Sequence, residues 1–203
     1  EEMTNFIETE LTESLKGLPT RTTQFGRFDK GLAYTILMKY YMHEKNWAKA
    51  EECGRELLKA EYGYGLMDRY ADIFTLENEG NKEIIFACTE ERGTNLQLWH
   101  DHALPGNYPT KNASIQKWDG YKVPWPFYRT FEEGDDRLSV LVGEYVGTDG
   151  VLFNEESDIA KHGNLYSGAV PVKYGEDPES TGDGSQIDLV VYRYADVLTL
   201  LSE

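Results

Sequence analysis

The stretch Asp29-Lys30-Gly31-Leu32-Ala33-Tyr34-Thr35-Ile36-Leu37-Met38-Lys39-Tyr40-Tyr41-Met42-His43-Glu44-Lys45-Asn46-Trp47-Ala48-Lys49-Ala50 decides how this chain folds. Ala33, Tyr34, Leu37, Met38 and Tyr41 recur at three- and four-residue steps, so they share one face of a helix. A polar turn, His43-Glu44-Lys45-Asn46, follows it. Trp47, Ala50, Gly54, Leu57 and Leu58 then mark a second helix. Two helices joined by so short a turn predict an αα-hairpin over residues 29–61.

The hairpin's spacing resembles a tetratricopeptide repeat. Tyr34-x2-Leu37-Met38-x2-Tyr41 sits where that repeat has Trp-x2-Leu-Gly-x2-Tyr, and Ala50 falls on the small position of its second helix. Met38 replaces the usual Gly and Gly54 the usual Phe, and no second copy follows at a period of about 34 residues.

On the N-terminal side, Met3, Phe6, Ile7, Leu11, Leu15 and Leu18 form the apolar face of a first helix ending near Gly17 and Pro19. A polar linker runs from Thr20 to Arg27. On the other side, Tyr62-Gly63-Tyr64-Gly65 breaks the second helix. Met67 to Leu76 predicts a short helix and Glu77 to Asn81 a turn. Glu83-Ile84-Ile85-Phe86-Ala87-Cys88-Thr89 predicts a buried strand. Glu90 to Lys122 is loop-rich, Pro124 to Phe131 is an aromatic cluster constrained by proline, and Leu138 to Val146 alternates as a strand does. Leu189 to Leu198 reads as the opening of a helix without a Gly stop, a basic last turn or a following Pro. It could open another repeat. The expectation is an interior portion of a longer protein, with any export signal or lipid anchor outside it.

Of the 203 residues, 36 are acidic and 20 basic, for a net charge of −16. Nucleic acid and anionic membrane surfaces are excluded as partners, because both need a basic face. Residues 131–186 carry 13 acidic and 3 basic side chains among turn-forming glycines. Aromatic residues make up 13%, which a disordered chain would not carry. No apolar run is long enough to span a bilayer. Cys53 and Cys88 are too few and too far apart for a disulfide framework or a Cys metal pair, and are expected as two small buried thiols.

No P-loop, HExxH, GxSxG or EF-hand calcium loop is present. His100-Asp101-His102 places two histidines where one face of a strand would carry both, but no third metal ligand is marked by spacing, and no metal or cofactor is expected. Glu90-Glu91, Glu132-Glu133 and Asp135-Asp136 are carboxylate pairs. A glycosidase needs two carboxylates about 5–10 Å apart across the scissile bond, and sequence neighbours do not establish that. The aromatics are more telling. Trp99, Tyr108, Trp118, Tyr121, Trp125, Phe127 and Tyr128 fall between residues 99 and 128. Flat rings with a polar edge suit the C–H faces of sugars, with nearby Asn, Asp and Arg for the hydroxyls. Phe127 and Phe131 are expected to pack inward. Trp99, Trp118 and Tyr121, flanked by polar residues and Gly, suit stacking and packing equally.

Several stretches in order resemble the SusD/RagB family of Bacteroidota outer-membrane lipoproteins. They are Gly26-Arg27-Phe28-Asp29-Lys30-Gly31-Leu32-Ala33-Tyr34 with Asn46-Trp47-Ala48-Lys49-Ala50; Tyr64-Gly65-Leu66 through Tyr70-Ala71-Asp72-Ile73-Phe74 and Asn78-Glu79-Gly80-Asn81-Lys82-Glu83-Ile84-Ile85-Phe86; Phe127-Tyr128 through Phe131 to Gly134-Asp135-Asp136-Arg137; and Pro171-Val172-Lys173-Tyr174 with Arg193-Tyr194-Ala195-Asp196-Val197-Leu198. The resemblance covers nearly the whole chain but only part of a family member. It implies a mainly α fold, in which TPR-like helical hairpins form a scaffold with long loops and a few short strands. Residues 1–203 would be one incomplete SusD-like domain, with the ligand-binding and acidic loops at 90–186. It further implies a non-catalytic protein, lipid-anchored on the cell surface, that captures an oligosaccharide or, in some members, a peptide. That cargo passes to a SusC-like TonB-dependent transporter.

On this reading Trp99, Trp118 and Tyr121 supply the stacking, Asn95, Asp101 and Asn107 contact hydroxyls, and Tyr108 and Trp125 complete the ligand-binding set. One alternative is a TPR-type module that binds protein or peptide along the helical face of Tyr34, Lys30 and Lys45. Another is a glycoside hydrolase.

Overall fold

The computed structural model describes residues 2–161 and 163–203. Glu1 and His162, which fall inside the expected 1–203 and 90–186 spans, lie outside the described residues. The element order is α1 (Glu2–Ser14), α2 (Lys30–His43), α3 (Trp47–Leu57), β1 (Ile84–Cys88), α4 (Trp99–Ala103), β2 (Val123–Pro124), α5 (Trp125–Tyr128), β3 (Leu141–Val142), β4 (Glu144–Val146), β5 (Leu152–Asn154), α6 (Glu155–Lys161), β6 (Gly168–Pro171), β7 (Leu189–Arg193) and α7 (Tyr194–Ser202), with short 3-10 turns between. Helices outweigh strands, as expected. The chain divides into two compact units: Glu1–Met67, Gly80–Cys88 and Val190–Glu203 form the first, Asp68–Glu79 and Thr89–Leu189 the second.

In the first unit, Asp29 starts the decisive hairpin. Its carboxylate accepts from the N–H of Leu32 at 3.0 Å, capping α2, and from the N–H of Thr22 at 3.1 Å. Asn46 does the same for α3 through Lys49 N–H at 3.3 Å. Lys45 takes a left-handed φ of 58° in the turn between them. The two helices bury Leu37, Met38, Tyr41, Ala50, Cys53 and Leu57 against Tyr62, Ile85 and Val197. Gly54 lets the neighbouring helix close in: a Cβ there would lie 2.6 Å from Leu201 Cδ2. Trp47 and Leu58, expected on the inward face of α3, are exposed instead. Along α1 no residue is fully buried; Leu11 and Leu15 pack partly, while Met3 and Phe6 face solvent.

The C-terminal segment corrects the sequence reading. Leu189–Arg193 is a strand paired with β1, and the helix begins only at Tyr194. Val190 and Val191 are β-branched and extend readily. Buried Glu83 ties the pieces together. Its carboxylate accepts from Arg193 Nη1 at 2.7 Å and from the N–H of Met67 at 2.8 Å, and its carbonyl from the N–H of Tyr194 at 2.8 Å.

The second unit has its own core of Leu104, Ile115, Trp125, Tyr145, Leu165, Ala169 and Val170. Strand β6 is buried along its whole length and pairs antiparallel with β2 on one side and β3 on the other. Gly168 is required there, since a Cβ would sit 2.1 Å from the carbonyl oxygen of Val123. β4 and β5 form a separate antiparallel hairpin. The expected helix over 67–76 is instead a pair of 3-10 turns, Ala71–Phe74 and Leu76–Asn78, separated by an extended Thr75. The expected strand over 138–146 is split. Asp135 caps a 3-10 turn, Asp136–Val140, through the N–H of Arg137, and Gly143 parts β3 from β4.

A candidate aromatic binding platform

The irregular segment Trp118-Asp119-Gly120-Tyr121 is laid over the C-terminal end of α4. A short helix leaves its last carbonyls without intrahelical partners. Here the N–H of Trp118 donates to the Asp101 carbonyl at 2.6 Å, that of Tyr121 to the His102 carbonyl at 2.7 Å, and that of Asp119 to the Leu104 carbonyl at 3.0 Å. The segment needs positive φ at two successive positions: Asp119 has φ 63° and Gly120 φ 136°. Asp is one of the few side chains that tolerates this conformation. Lys122, with only 8% of its side chain exposed, pairs its ammonium with Asp119 Oδ1, which also accepts from the N–H of Gly120 at 2.8 Å.

The pinned segment assembles an aromatic platform. Trp99 and His102, three residues apart on α4, share a face. The His102 ring lies 5.1 Å from Trp118, edge-on, and 5.2 Å from Tyr121 at an interplanar angle of 32°. Trp99 meets Tyr121 at 5.6 Å and backs onto Tyr174 at 5.5 Å, and its indole N–H donates to the Pro171 carbonyl at 2.9 Å. Trp118 is 49% and Tyr121 46% exposed, so both present ring area to solvent while being held from behind.

The structure therefore brings Trp99, Trp118 and Tyr121 together and adds His102, which the sequence reading weighed only as a metal ligand. The missed signal is the i, i+3 spacing of Trp99 and His102, visible only if 99–103 is read as helix rather than loop. That helix also removes the imagined metal pair, because positions i and i+2 do not share a helical face. No group of three His, Cys, Asp or Glu able to hold a metal occurs among the described residues.

Two expected ligand residues are corrected. Asp101 is 1% exposed, and both its carboxylate oxygens receive the N–H of Gly184, at 3.1 and 3.3 Å, so it anchors a loop. Trp125 is buried in the second core, with its indole N–H donating to the Leu165 carbonyl at 2.9 Å.

The others sit apart from the platform's hydrogen bonds. Asn107 Oδ1 accepts from the Tyr145 hydroxyl at 2.9 Å and Asn164 Nδ2 at 2.7 Å, while Tyr108 packs its ring 5.1 Å from Tyr145. Exposed Asn95 donates to the Thr89 carbonyl and the Glu90 carboxylate. Phe127, expected to pack inward, is 57% exposed and rests edge-on against Phe131. Cys88 is likewise exposed rather than buried.

The carboxylate pairs serve the loops. Asp135 is held down to about 2 by the Arg137 guanidinium. Asp136 accepts from the N–H of Tyr70, and Glu90 accepts from Asn95.

No helix among the described residues is long and apolar enough to cross a membrane. No family model and no curated protein matches this chain. Solved structures do. NanU of Bacteroides fragilis superposes with a TM-score of 0.76 at 16% identity, over 99% of this chain and 45% of its own. A SusD superfamily protein of Bacteroides fragilis gives 0.74 at 17%, over 99% and 46%. Surface glycan-binding protein A of Bacteroides thetaiotaomicron, in complex with laminarihexaose, gives 0.72 at 19%, over 99% and 48%. The chain thus spans less than half the length of these structures while being covered almost entirely by each. Its fold is that of the SusD superfamily.

Proposed function

We propose that this chain is the ligand-capturing part of a non-enzymatic glycan-binding protein of the cell surface. It would deliver oligosaccharides to a SusC-like TonB-dependent transporter and be held at the outer membrane by a lipid anchor outside the chain. The observation that carries the reading is the platform: two half-exposed aromatic faces, Trp118 and Tyr121, held in place by His102, Trp99 and backbone hydrogen bonds. Rings already fixed lose little entropy when a sugar face settles on them. The laminarihexaose bound to one structural neighbour supports a saccharide ligand. Of the residues the rival TPR-type reading names, Tyr34 is partly buried against the first core with its ring edge-on to Tyr62.

Isothermal titration of the chain against laminarihexaose and a panel of neutral oligosaccharides tests the proposal. Trp118→Ala and Tyr121→Ala should each weaken binding about tenfold or more, ~1.4 kcal/mol per ring. Lys111→Ala is the control. It lies in a separate polar cleft of about 740 Å³ lined by Thr75, Glu77, Asn112, Gly175, Glu176 and Pro178. If Lys111→Ala weakened binding and the two ring variants did not, the ligand would sit in that cleft and the platform assignment would fail. Release of shorter sugars during incubation would overturn the non-enzymatic reading.

A further inference from the structure

Stacking on aromatic faces holds a sugar but discriminates weakly among sugars, because every pyranose has an apolar face. Specificity needs a polar group fixed beside the rings. The expected candidates do not provide one: Asp101 is buried, and Asn107 and Asn95 are engaged elsewhere. Asp119 lies between Trp118 and Tyr121 in the segment itself. Its Oδ1 is occupied twice, by the Lys122 ammonium and the N–H of Gly120. Its Oδ2 makes no hydrogen bond among the described residues, and the side chain is 35% exposed.

Resting on the saccharide-binding reading, we propose that Asp119 is the specificity residue of the platform. Oδ2 accepts a hydrogen bond from a hydroxyl of the sugar stacked on Trp118 or Tyr121, and Lys122 is the positioning residue that fixes the carboxylate's orientation. The ligand class is a neutral saccharide with a free hydroxyl at the edge of its stacked ring. A charged acceptor forms the stronger kind of hydrogen bond to such a group. Holding it in one orientation beforehand removes the ordering cost that a mobile surface carboxylate would carry. A ligand bearing a carboxylate at that edge would be repelled.

Asp119→Asn isolates the effect at one atom. Lys122 and the N–H of Gly120 both donate, so the amide oxygen takes the Oδ1 place and the amide nitrogen the Oδ2 place. An acceptor becomes a donor with little change of shape, and Asn also tolerates left-handed backbone. Titration of the full chain with the tightest-binding neutral oligosaccharide of the panel should show a loss of about tenfold for Asp119→Asn. Laminarihexaose is the first probe. Lys122→Met should lose a similar factor, and Lys122→Arg should recover most of it. The circular dichroism spectrum of Asp119→Asn should stay that of the wild type, and its melting temperature should fall no further than that of Lys122→Met.

A second readout separates recognition from mere support of the segment that carries the rings. The preference for the neutral oligosaccharide over its uronic-acid counterpart should shrink in Asp119→Asn, because the repulsion is gone. If Asp119→Asn kept wild-type affinity and preference while Trp118→Ala abolished binding, the role of Asp119 would be disproved and the saccharide reading would stand. If the wild-type chain bound no oligosaccharide, both would fall.

Discussion

Cys53 and Cys88 belong to one residue type and differ in everything that governs their reactivity. Burial pushes the Cys53 thiol up to about 11, with the nearby charges of Glu52 and Glu56 adding to the effect, whereas Cys88 lies exposed at the end of its strand. Thiolate is the reacting species. Iodoacetamide at pH 8 on the native chain should therefore label Cys88 and spare Cys53, and mass spectrometry of the peptides reads the outcome directly. Labelling of Cys53 at a comparable rate would show that the first core opens far more often than its packing implies. The same scale explains what the sequence showed of the site and what it hid. The exposure of Trp118 and Tyr121 was legible because polar residues and Gly flank them, and such stretches lie at the surface. Asp101 and Trp125 were not, because their burial depends on partners far along the chain. Asp101 is met by Gly184 and Trp125 by the Leu165 carbonyl. Nothing in the local pattern announces either contact.

The hairpin, whose causes are local, was read well, and β6 and β7, whose cause is a distant partner, were not. The α2–α3 hairpin rests on a short-range period, two caps and a short turn, all contiguous in sequence. β6 exists because β2 and β3 flank it, and β7 because β1 does. A four-residue run such as Gly168-Ala169-Val170-Pro171 has no distinguishing period by itself. Gly168 shows how completely the partner decides. A Cβ at this position would lie 2.1 Å from Val123 O and 2.6 Å from the Val123 carbonyl carbon, both backbone atoms that cannot swing aside. Gly168→Ala should destabilise the second unit by about 3 kcal/mol or more, the upper end for overpacking, by forcing β2 away from β6. Gly106→Ala, where an added Cβ meets nothing within 4 Å, should be nearly neutral. Urea unfolding of the pair measures the contrast. Equal stability of the two variants would mean that β2 is free to move and that Trp125, which follows it directly, is less firmly set.

At the scale of the whole molecule, the charge of −16 sets how stability responds to pH. Burial holds the carboxyl of Asp188 above its ordinary value although it accepts from the N–H of Glu90 at 2.9 Å. Burial, and then the charge of Asp188, raises that of Glu90. A carboxyl raised on folding contributes stability that is fully present below its unfolded pKa and is lost as pH rises through its folded pKa. Lowering the pH from neutral to just above the ordinary carboxylate range should therefore raise the melting temperature by on the order of 1–4 °C, with relief of net repulsion acting in the same direction. Hydrogen bonds hold Asp149 and Glu8 below their ordinary values, so the gain reverses once the pH falls through the ordinary carboxylate range. Asp188→Asn keeps an acceptor for the N–H of Glu90 and should flatten the acid-side gain in differential scanning calorimetry; an unchanged slope would assign the effect to net charge alone. The interleaving of the two units also has a consequence for synthesis. Most of the second unit, Thr89–Leu189, is inserted between β1 and the segment that completes the first, so Ile84 and Ile85 leave the ribosome long before Val190 and Val191 exist to pair with them. In nascent chains the inserted unit must close first, as a loop, and until it does an apolar strand waits with an open edge. That interval, rather than the finished fold, is when the chain most needs a chaperone.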